Sequence, residues 1–359
     1  MGALPSLDTM SINRGFPMPP VAEGTPLAEY SERDASWDDR KAEAIEVSEL
    51  YGTSKEYALK AEHMRMCARH LEFAETIDKQ TGAVSTKLHR AMFCHNRYCP
   101  VCSWRRSLVW KARFHNVLPE IMAQYPDSRF VFLTLTVKNM PVHNLRKSLK
   151  DMNKAWGRLV KRIQFNAVQG WIRSTEVTRA ENGYAHPHFH VMMMVDESYF
   201  RENYVNQSEW QKAWREVMRL DYDPIVDIRS IKTKNSRSKK LSDAISETLK
   251  YSVKIADLKS SPEWLIELTK QTDKLRFIAT GGVFKNVLKA PEDITDADMI
   301  HPNNDSETVA VANDIKRILI FRWSDYSNQY TLRDIHLPLN GIDSPQRGRV
   351  RRIPCGATP

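Results

Sequence analysis

Two histidines and a carboxylate have the types and the spacing of a metal site. His188 and His190 are separated by one residue within the strand-like segment 187–195, so both imidazoles lie on the same face of that strand. An Asn-Gly turn joins this segment to 171–178, which predicts a hairpin with Glu176 opposite His188. Cross-strand neighbours lie about 5 Å apart at Cβ, close enough to share one ion. The sequence therefore predicts an open site for Mn²⁺ or Mg²⁺, with positions left for substrate oxygens.

A carboxylate, a phenol and an ammonium are predicted to share one face of a later helix. If 242–257 is helical, Glu247 and Tyr251 are four residues apart and Lys254 follows three residues later. In phosphodiester cleavage a tyrosine can be the nucleophile, a lysine can stabilise developing negative charge, and a glutamate can accept a proton from the attacking group. A phenol with its ordinary pKa of about 10 is a weak nucleophile alone, so a nearby ion that polarises the phosphate makes this chemistry credible.

Both patterns also have an ordinary structural interpretation. An isolated His-x-His strand more often holds satisfied strand histidines than metal ligands, and His186 on the same face is a competing ligand or a neighbour that orients one. Tyr251 could be a half-buried helix residue beside surface ion pairs. The carboxylate in register with His188 favours the catalytic interpretation.

A cysteine cluster predicts a second metal site. Four of the five cysteines fall between residues 67 and 102, namely Cys67, Cys94, Cys99 and Cys102. Tetrahedral Zn²⁺ takes four soft ligands, and the two-residue spacer at 99–102 lets two thiolates of one turn reach it. The zinc would be structural, because no ligand position is left open. His70 or His95 could replace one of the thiols, and Cys355 is interpreted as unrelated.

Charge indicates a polyanionic partner. The chain has 53 basic and 44 acidic residues, a net charge of +9, although residues 1–45 hold eight acidic residues against four basic ones. The remainder is strongly basic, as expected for a protein that displaces counterions from nucleic acid. The contacts predicted with DNA are Arg105, Arg106, Lys154, Arg158, Lys232 and Lys234. Mean hydropathy is −0.52, and the chain has neither a membrane-length apolar run nor a secretory signal, so a cytoplasmic protein is expected.

Hydrophobic periodicity predicts an α+β fold with a central antiparallel sheet flanked by helices. Strand signals occur at 129–137 and 225–231 in addition to the hairpin, with helical spacing at 103–124, 145–163 and 209–220. Weaker strand signals follow at 317–322 and 329–336. The expected organisation is a flexible acidic tail at 1–45, a zinc-binding subdomain at 46–110, a catalytic domain at 111–291 and a C-terminal extension of unknown role at 292–359.

On these residues the chain resembles the HUH endonuclease superfamily, and within it the rolling-circle replication initiators, or Rep proteins, of small bacterial plasmids. The resemblance spans roughly residues 60–290 and is more specific than any single motif. It is carried by FCHNRYCPVCSWRR at 93–106, FLTLT at 132–136, STEVT at 174–178, HPHFHVMMMV at 186–195, ETLKYSVK at 247–254 and GGVFK at 281–285.

The resemblance implies the HUH endonuclease fold, with the His-x-His strand in the central sheet and the tyrosine on a helix beside it. It implies that His188, His190 and Glu176 bind the catalytic metal, that Tyr251 is the nucleophile, and that Glu247 activates water at termination. Tyr251 would nick single-stranded or hairpin DNA at the plasmid origin. A 5′-phosphotyrosyl link and a free 3′-OH primer would result, and the initiator would rejoin the strand or terminate after one round.

The chain departs from parts of the superfamily. It has one tyrosine at the active position and no recognisable helicase motor or phosphate-binding loop, so a host helicase and replication machinery are implied partners. A homodimer is left open. The alternatives are a relaxase or single-strand transposase with the same chemistry, and a non-catalytic zinc-containing DNA-binding regulator.

Overall fold

The computed structural model describes residues 21–78, 81–231, 239–249, 253–288, 293–302 and 315–337. Over these residues the chain is α+β, with antiparallel sheets flanked by helices, which confirms the predicted class. The strands are β1 (His70–Ile77), β2 (Val84–Ala91), β3 (Arg129–Thr136), β4 (Val168–Arg179), β5 (Ala185–Val195), β6 (Val226–Ile231), β7 (Ile278–Gly282), β8 (Ile315–Ser324) and β9 (Gln329–His336). The helices are α1 (Leu27–Tyr30), α2 (Ser36–Gly52), α3 (Ala58–Met66), α4 (Pro100–Gln124), α5 (Leu145–Leu159), α6 (Gln207–Met218), α7 (Lys239–Thr248), α8 (Ile255–Leu258), α9 (Pro262–Thr272) and α10 (Asp296–Ile300). None of these helices has both the length and the apolar content that a bilayer span requires.

The larger sheet has five antiparallel strands in the order β6-β3-β5-β4-β7. Its middle strand, β5, is buried along almost its whole length, including Met192, Met193 and Met194 on alternating faces. A strand covered on both faces is expected to be apolar throughout, so the polar residues His188 and His190 stand out within it. The central position of β5 gives these imidazoles a rigid support.

Different helices cover the two faces of this sheet. The face that carries His188 and His190 is called the histidine face below. On the opposite face, the rings of Trp156 from α5 and Trp214 from α6 lie 6.3 Å and 6.0 Å from the Phe189 ring. On the histidine face, α7 runs against β4, β5 and β6 and also contacts α4. The candidate metal ligands and the amphipathic helix α5 therefore lie on opposite faces of the sheet.

The GGVFK block closes the edge of the larger sheet. A Cβ on Gly281 would lie 2.4 Å from the Trp171 ring, so only glycine permits this close approach of β7 to β4. Gly282 has a φ of +59°, in the left-handed region that favours glycine. The backbone at these two positions therefore requires glycine, whatever the function of the site.

A second sheet joins the two ends of the described chain in the order β2-β1-β8-β9. Strand β1 pairs with β2 on one side and with β8 on the other, and Glu75 of β1 forms a buried ion pair with Arg317 of β8. The segment after residue 292, to which the sequence assigned no role, thus supplies two of the four strands. The predicted subdomain at 46–110 is not a self-contained unit, because its sheet is completed from the C-terminal side.

The prediction of a flexible tail over 1–45 is wrong for its described part, while residues 1–20 lie outside the description. Helix α2 begins at Ser36, and Trp37, Lys41 and Ala44 on it are buried. The Trp37 ring packs edge-on against Trp104 of α4 at 4.9 Å between centroids. An acidic, proline-bearing composition suggested disorder, but a single buried tryptophan and its neighbours supply enough apolar contact to fix this segment.

The predicted continuous helix at 242–257 is also wrong, because α7 ends at Thr248. The Thr248 hydroxyl donates to the carbonyl of Ala244 and thereby competes with the backbone ladder. Val253 is buried in a bend, and Lys254 has extended backbone before the short helix α8. The argument that placed Lys254 on one helix face with Glu247 therefore fails.

Candidate active site

The predicted hairpin is confirmed in its register. Strands β4 and β5 pair antiparallel with Glu176 directly opposite His188, as the Asn-Gly turn suggested. Thr134 of β3 lies opposite His190 on the other side of β5. Side chains directly opposite one another in a sheet point to the same face, so all four project from the histidine face.

One carboxylate oxygen meets both imidazoles. Glu176 Oε2 lies 2.8 Å from His190 Nε2 and 3.1 Å from His188 Nε2. All three side chains are largely buried, since each residue retains less than a tenth of its accessible surface. A buried carboxylate needs a partner for its charge. Here that partner is either an imidazole N–H group or a cation that the carboxylate shares with the ring nitrogens.

The far nitrogens of the rings face other oxygens. His188 Nδ1 lies 3.3 Å from the backbone carbonyl of His186, and His190 Nδ1 lies 3.4 Å from the hydroxyl of Thr134. Metal-binding histidines commonly donate their second ring N–H to an oxygen in this manner, which fixes the tautomer and the ring orientation. Thr134 was not among the residues predicted from the sequence, where its signal is its place in the FLTLT strand that pairs with β5.

His186, the competing ligand of the sequence analysis, is not part of this group. The Glu176, His188 and His190 donor atoms all lie within 4.8 Å of one another, and the grouping does not extend to His186. Burial, and after it the charge of neighbouring His188, lowers the pKa of His186. Its main-chain carbonyl is instead the acceptor for the His188 ring.

The donor set fits a divalent ion. Two imidazole nitrogens and one carboxylate oxygen suit Mn²⁺ and related first-row ions, and a three-ligand set leaves positions for substrate. His188, His190 and Glu176 are the residues that would hold it.

Of the residues predicted to carry the chemical steps, Glu247 and Lys254 are described, and both lie near the end of α7. Tyr251 is outside the described residues, so the predicted closeness of its hydroxyl to the imidazoles stays a prediction. Glu247 is half-buried on α7, one residue before the helix ends, whereas Lys254 is exposed beyond it. Leu249 and Val253, on either side of Tyr251 in sequence, are both buried.

The four predicted cysteines form a compact cluster. The thiol sulfurs of Cys67, Cys94, Cys99 and Cys102 all lie within 4.8 Å of one another. The distance between sulfurs is 3.5 Å from Cys67 to Cys102 and 3.7 Å from Cys94 to Cys102. Mutual hydrogen bonding with the other thiols holds the pKa of Cys94 far below its usual range. Four converging sulfurs, one of them readily ionised, fit a tetrahedral Zn²⁺ site.

Three elements bring these thiols together, and a lysine supports them. Cys67 follows α3, Cys94 lies in the loop after β2, and Cys102 is in the first turn of α4. Lys41 of α2 donates to the carbonyls of Arg65 and Cys67. Helices α2, α3 and α4 therefore share one small core with the cluster.

The alternative histidine ligands lie elsewhere. His95 Nε2 lies 2.7 Å from a carboxylate oxygen of Asp296, at the start of α10. His70 is the first residue of β1 and is not part of the sulfur cluster, which consists of the four cysteines. The all-cysteine version of the predicted set is the one that the geometry supports.

Two of the predicted DNA contacts, Arg105 and Arg106, are buried, and their surroundings favour a structural role over contact with DNA. The Arg105 guanidinium donates to the carbonyls of Met299 and Ile300, and burial lowers the pKa of Arg105 to about 10. The Arg106 guanidinium donates to the carbonyls of His95 and Asn96. Both arginines connect α4 to neighbouring segments by hydrogen bonds. In the sequence they belong to a basic run, which suggested DNA contact and gave no sign of this structural role.

The other predicted contacts are divided between two regions. Lys154 is exposed on α5, whereas the guanidinium of Arg158 donates to the carbonyl of Val217 at the end of α6. This helix covers the face opposite to the histidines, so DNA held there would have to pass around the sheet to reach them. Lys232 and Lys234 lie outside the described residues.

Comparisons with known proteins agree with one another. Residues 85–331 match the Rep_1 family, which is described as Replication protein. The chain is 32% identical over 311 residues to a protein of Streptococcus pneumoniae serotype 2 named Protein rep, covering 84% of this chain and 93% of that one. A Bacillus amyloliquefaciens protein with the same name is 36% identical over 282 residues, covering 70% of this chain and 81% of its own. A 205-residue stretch is 38% identical to a Staphylococcus aureus protein named Replication protein, covering 53% of this chain and 86% of that one. No solved structure matched the chain.

Proposed function

The chain belongs to the Rep_1 family of replication proteins, and on that premise we propose that it starts rolling-circle replication of a plasmid by nicking one strand of the origin. The observation that carries this proposal is the meeting of the two ring nitrogens with one carboxylate oxygen on the middle strands of the sheet. A five-stranded antiparallel sheet with a His-x-His pair on its central strand is consistent with the HUH endonuclease fold.

In the proposed first step the phenolic oxygen of Tyr251 forms a bond to the phosphorus of the scissile phosphate. The bond from phosphorus to the 3′-oxygen breaks, the phenolic proton passes to solvent or a nearby base, and the departing 3′-oxygen takes up a proton. The products are a 5′-phosphotyrosyl link and a free 3′-OH that primes synthesis. A divalent ion held by His188, His190 and Glu176 would polarise the phosphate oxygens.

In the proposed last step Glu247 accepts a proton from water, whose oxygen attacks the phosphotyrosyl phosphorus and releases Tyr251. Glu247 is suited to this role by its partial burial at the end of α7, on the helix that crosses the histidine face. Lys254 remains in the proposal as a nearby cation for developing charge, although it is not on the same helix.

The cysteine cluster is proposed to bind a structural Zn²⁺. It lies where the end of α3, the loop after β2 and the start of α4 meet, and three of its four cysteines are buried. Zinc here would hold the N-terminal helices against the rest of the fold.

Nicking of a supercoiled plasmid that carries the protein's own origin tests this function. With Mn²⁺, the wild-type protein is expected to relax the plasmid to the nicked form, and Tyr251→Phe is expected to leave it supercoiled. Cleavage confined to that origin would favour an initiator over a relaxase or a transposase. If wild-type protein binds the origin and never nicks it, the regulator without catalysis is the correct function.

A further inference from the structure

A lysine lies fully buried beside the cysteine cluster. Lys41 of α2 retains none of its accessible surface. Its Nζ donates to the backbone carbonyls of Arg65 and Cys67, at 2.6 Å and 2.7 Å. Cys67 is one of the four cysteines, so the amino group of Lys41 is bonded to the main chain of a proposed zinc ligand.

The two carbonyls accept hydrogen bonds from Lys41 but do not neutralise its charge. Among the described residues, no carboxylate forms an ion pair with this side chain. The carboxylate of Asp325 interacts with Lys41 only at longer range, because it is exposed and pairs with Arg69 at 2.6 Å. An isolated charge in a protein interior is strongly unfavourable, so a buried ammonium indicates a negative group nearby.

The cysteine cluster can supply that negative charge. Burial lowers the pKa of Lys41, whereas the thiols of Cys67, Cys99 and Cys94 raise it. Three of the four sulfurs therefore lie within electrostatic range of the ammonium. Four thiolates around one Zn²⁺ leave two negative charges uncompensated. In a buried site this excess is stabilised by a nearby cation, just as the lysine is stabilised by a nearby anion.

Two other basic residues near the cluster are less suited to this role. Lys60 interacts electrostatically with Cys94, but it is only half-buried. Arg69 is partly exposed and pairs with Asp325, so its charge is already matched. Solvent screens both groups more than it screens a buried ammonium. Among the described residues near the cluster, Lys41 is therefore the cation best placed to offset the charge of the sulfurs.

We propose that the ammonium of Lys41 is the counter-charge of a zinc centre with four thiolate ligands, and that Lys41 is a positioning residue for this centre. The inference rests on the proposed structural zinc and goes beyond it, because it assigns part of the zinc affinity to a residue outside the ligand set. The ammonium offsets part of the excess negative charge and holds the main chain of Cys67 in place. Helix α2 is thereby coupled to metal binding.

A double-mutant cycle separates the charge of Lys41 from its hydrogen bonds. Zinc affinity of the full-length protein is measured by competition with a chromophoric chelator in wild type, Lys41→Met, Cys94→His and the double variant. Lys41→Met alone is expected to lower the affinity about tenfold, as changes to groups that support metal ligands do. Cys94→His replaces a thiolate with a neutral imidazole and halves the excess charge. In that background Lys41→Met is expected to cost only about threefold, because the Coulomb energy is proportional to the charge.

Two control variants separate this effect from a general one. Lys60→Met removes the same charge from a lysine near Cys94 that solvent screens, and it should change the zinc affinity by no more than about twofold. Ala44→Gly loosens α2 without changing any charge, because Ala44 is buried on the same helix and glycine destabilises a helix interior. Any loss of zinc affinity in Ala44→Gly should be the same with and without Cys94→His.

A zinc affinity of Lys41→Met equal to that of the wild type would overturn the proposal. Equal losses with and without Cys94→His would also overturn it, because the lysine would then act through its hydrogen bonds alone. Should Cys94→His bind no zinc, a loss in Lys60→Met as large as that in Lys41→Met would be the contradicting result.

Failure of the structural zinc itself is recognised separately. Wild-type protein that binds no zinc would contradict both the zinc site and its counter-charge, and the wild-type titration alone shows this. Zinc binding by the wild type with an unaltered Lys41→Met contradicts only the counter-charge. If Lys41→Met does not fold, Lys41→Gln enters the same cycle, because it keeps a hydrogen-bond donor and removes the charge.

Discussion

Glu176 and His190 are fourteen residues apart in sequence, yet the carboxylate oxygen Oε2 of one lies 2.8 Å from the ring nitrogen Nε2 of the other. The contact is built into the register of two central strands and does not depend on a loop. A site on paired strands is held more precisely than a site on loops, which suits a reaction that needs a fixed phosphate.

Loss of either partner in this contact should weaken metal binding and nicking but leave DNA binding intact. His190→Ala removes one proposed ligand, and Glu176→Gln replaces a charged oxygen donor with a neutral amide. Mn²⁺ binding, followed by calorimetry, is expected to fall at least tenfold in each variant, in the range found for changes at metal sites. His186→Ala is the matched control, and a comparable loss of Mn²⁺ affinity there would mean that the ligand set is wrong.

The cysteine cluster should hold one zinc per chain and stabilise the N-terminal part of the fold. Metal analysis of the purified protein is expected to give one equivalent of zinc, and Cys99→Ser is expected to lose it together with several degrees of melting temperature. Cys355→Ser serves as control and should keep both. Equal zinc content in Cys99→Ser and wild type would contradict the assignment.

Arg105 should matter for stability and not for DNA affinity. Arg105→Met leaves the carbonyls of Met299 and Ile300 without their donor, which is expected to cost about 1–3 kcal/mol of unfolding free energy. Chemical denaturation measures this loss, and Lys154→Ala, which changes an exposed lysine, should unfold like the wild type. If Arg105→Met folded normally but bound DNA much more weakly, the prediction that Arg105 contacts DNA would be supported instead.

Helix α2 should be an integral part of the fold. Trp37 retains 1% of its accessible surface and packs against Trp104. Trp37→Ala is therefore expected to lower the unfolding free energy by about 3–5 kcal/mol. Deletion of residues 1–20 is the comparison, and we expect it to leave the urea midpoint unchanged. If the urea midpoint of Trp37→Ala equalled that of the wild type, residues 21–45 would have to be interpreted as a mobile tail after all.

The parts that the sequence predicted well depend on local patterns. Alternation along β5 and the Asn-Gly turn were enough to give the face of the histidines and the register of Glu176. The cysteine spacing was enough to predict a cluster of thiols. Each of these inferences needed only neighbours along the chain or one hairpin.

The parts that were missed depend on contacts between distant segments. The burial of Arg105 requires α10, almost two hundred residues later, to present its carbonyls. Helix α2 is held in place by packing of Trp37 against a tryptophan on α4. The second sheet is formed by strands from both ends of the described chain. The end of α7 at Thr248 reflects a side-chain hydrogen bond and β-branched residues that outweigh an otherwise helical pattern.

Mapping the covalently modified peptide tests the central claim most directly. The protein is incubated with Mn²⁺ and a labelled single-stranded oligonucleotide from its origin, then digested and analysed by mass spectrometry. We expect one adduct, on the peptide that contains Tyr251, with the 5′-phosphate of the cleaved strand on the phenolic oxygen, and no adduct in Tyr251→Phe. An adduct on another residue, or cleavage by Tyr251→Phe at the wild-type rate, would contradict the account.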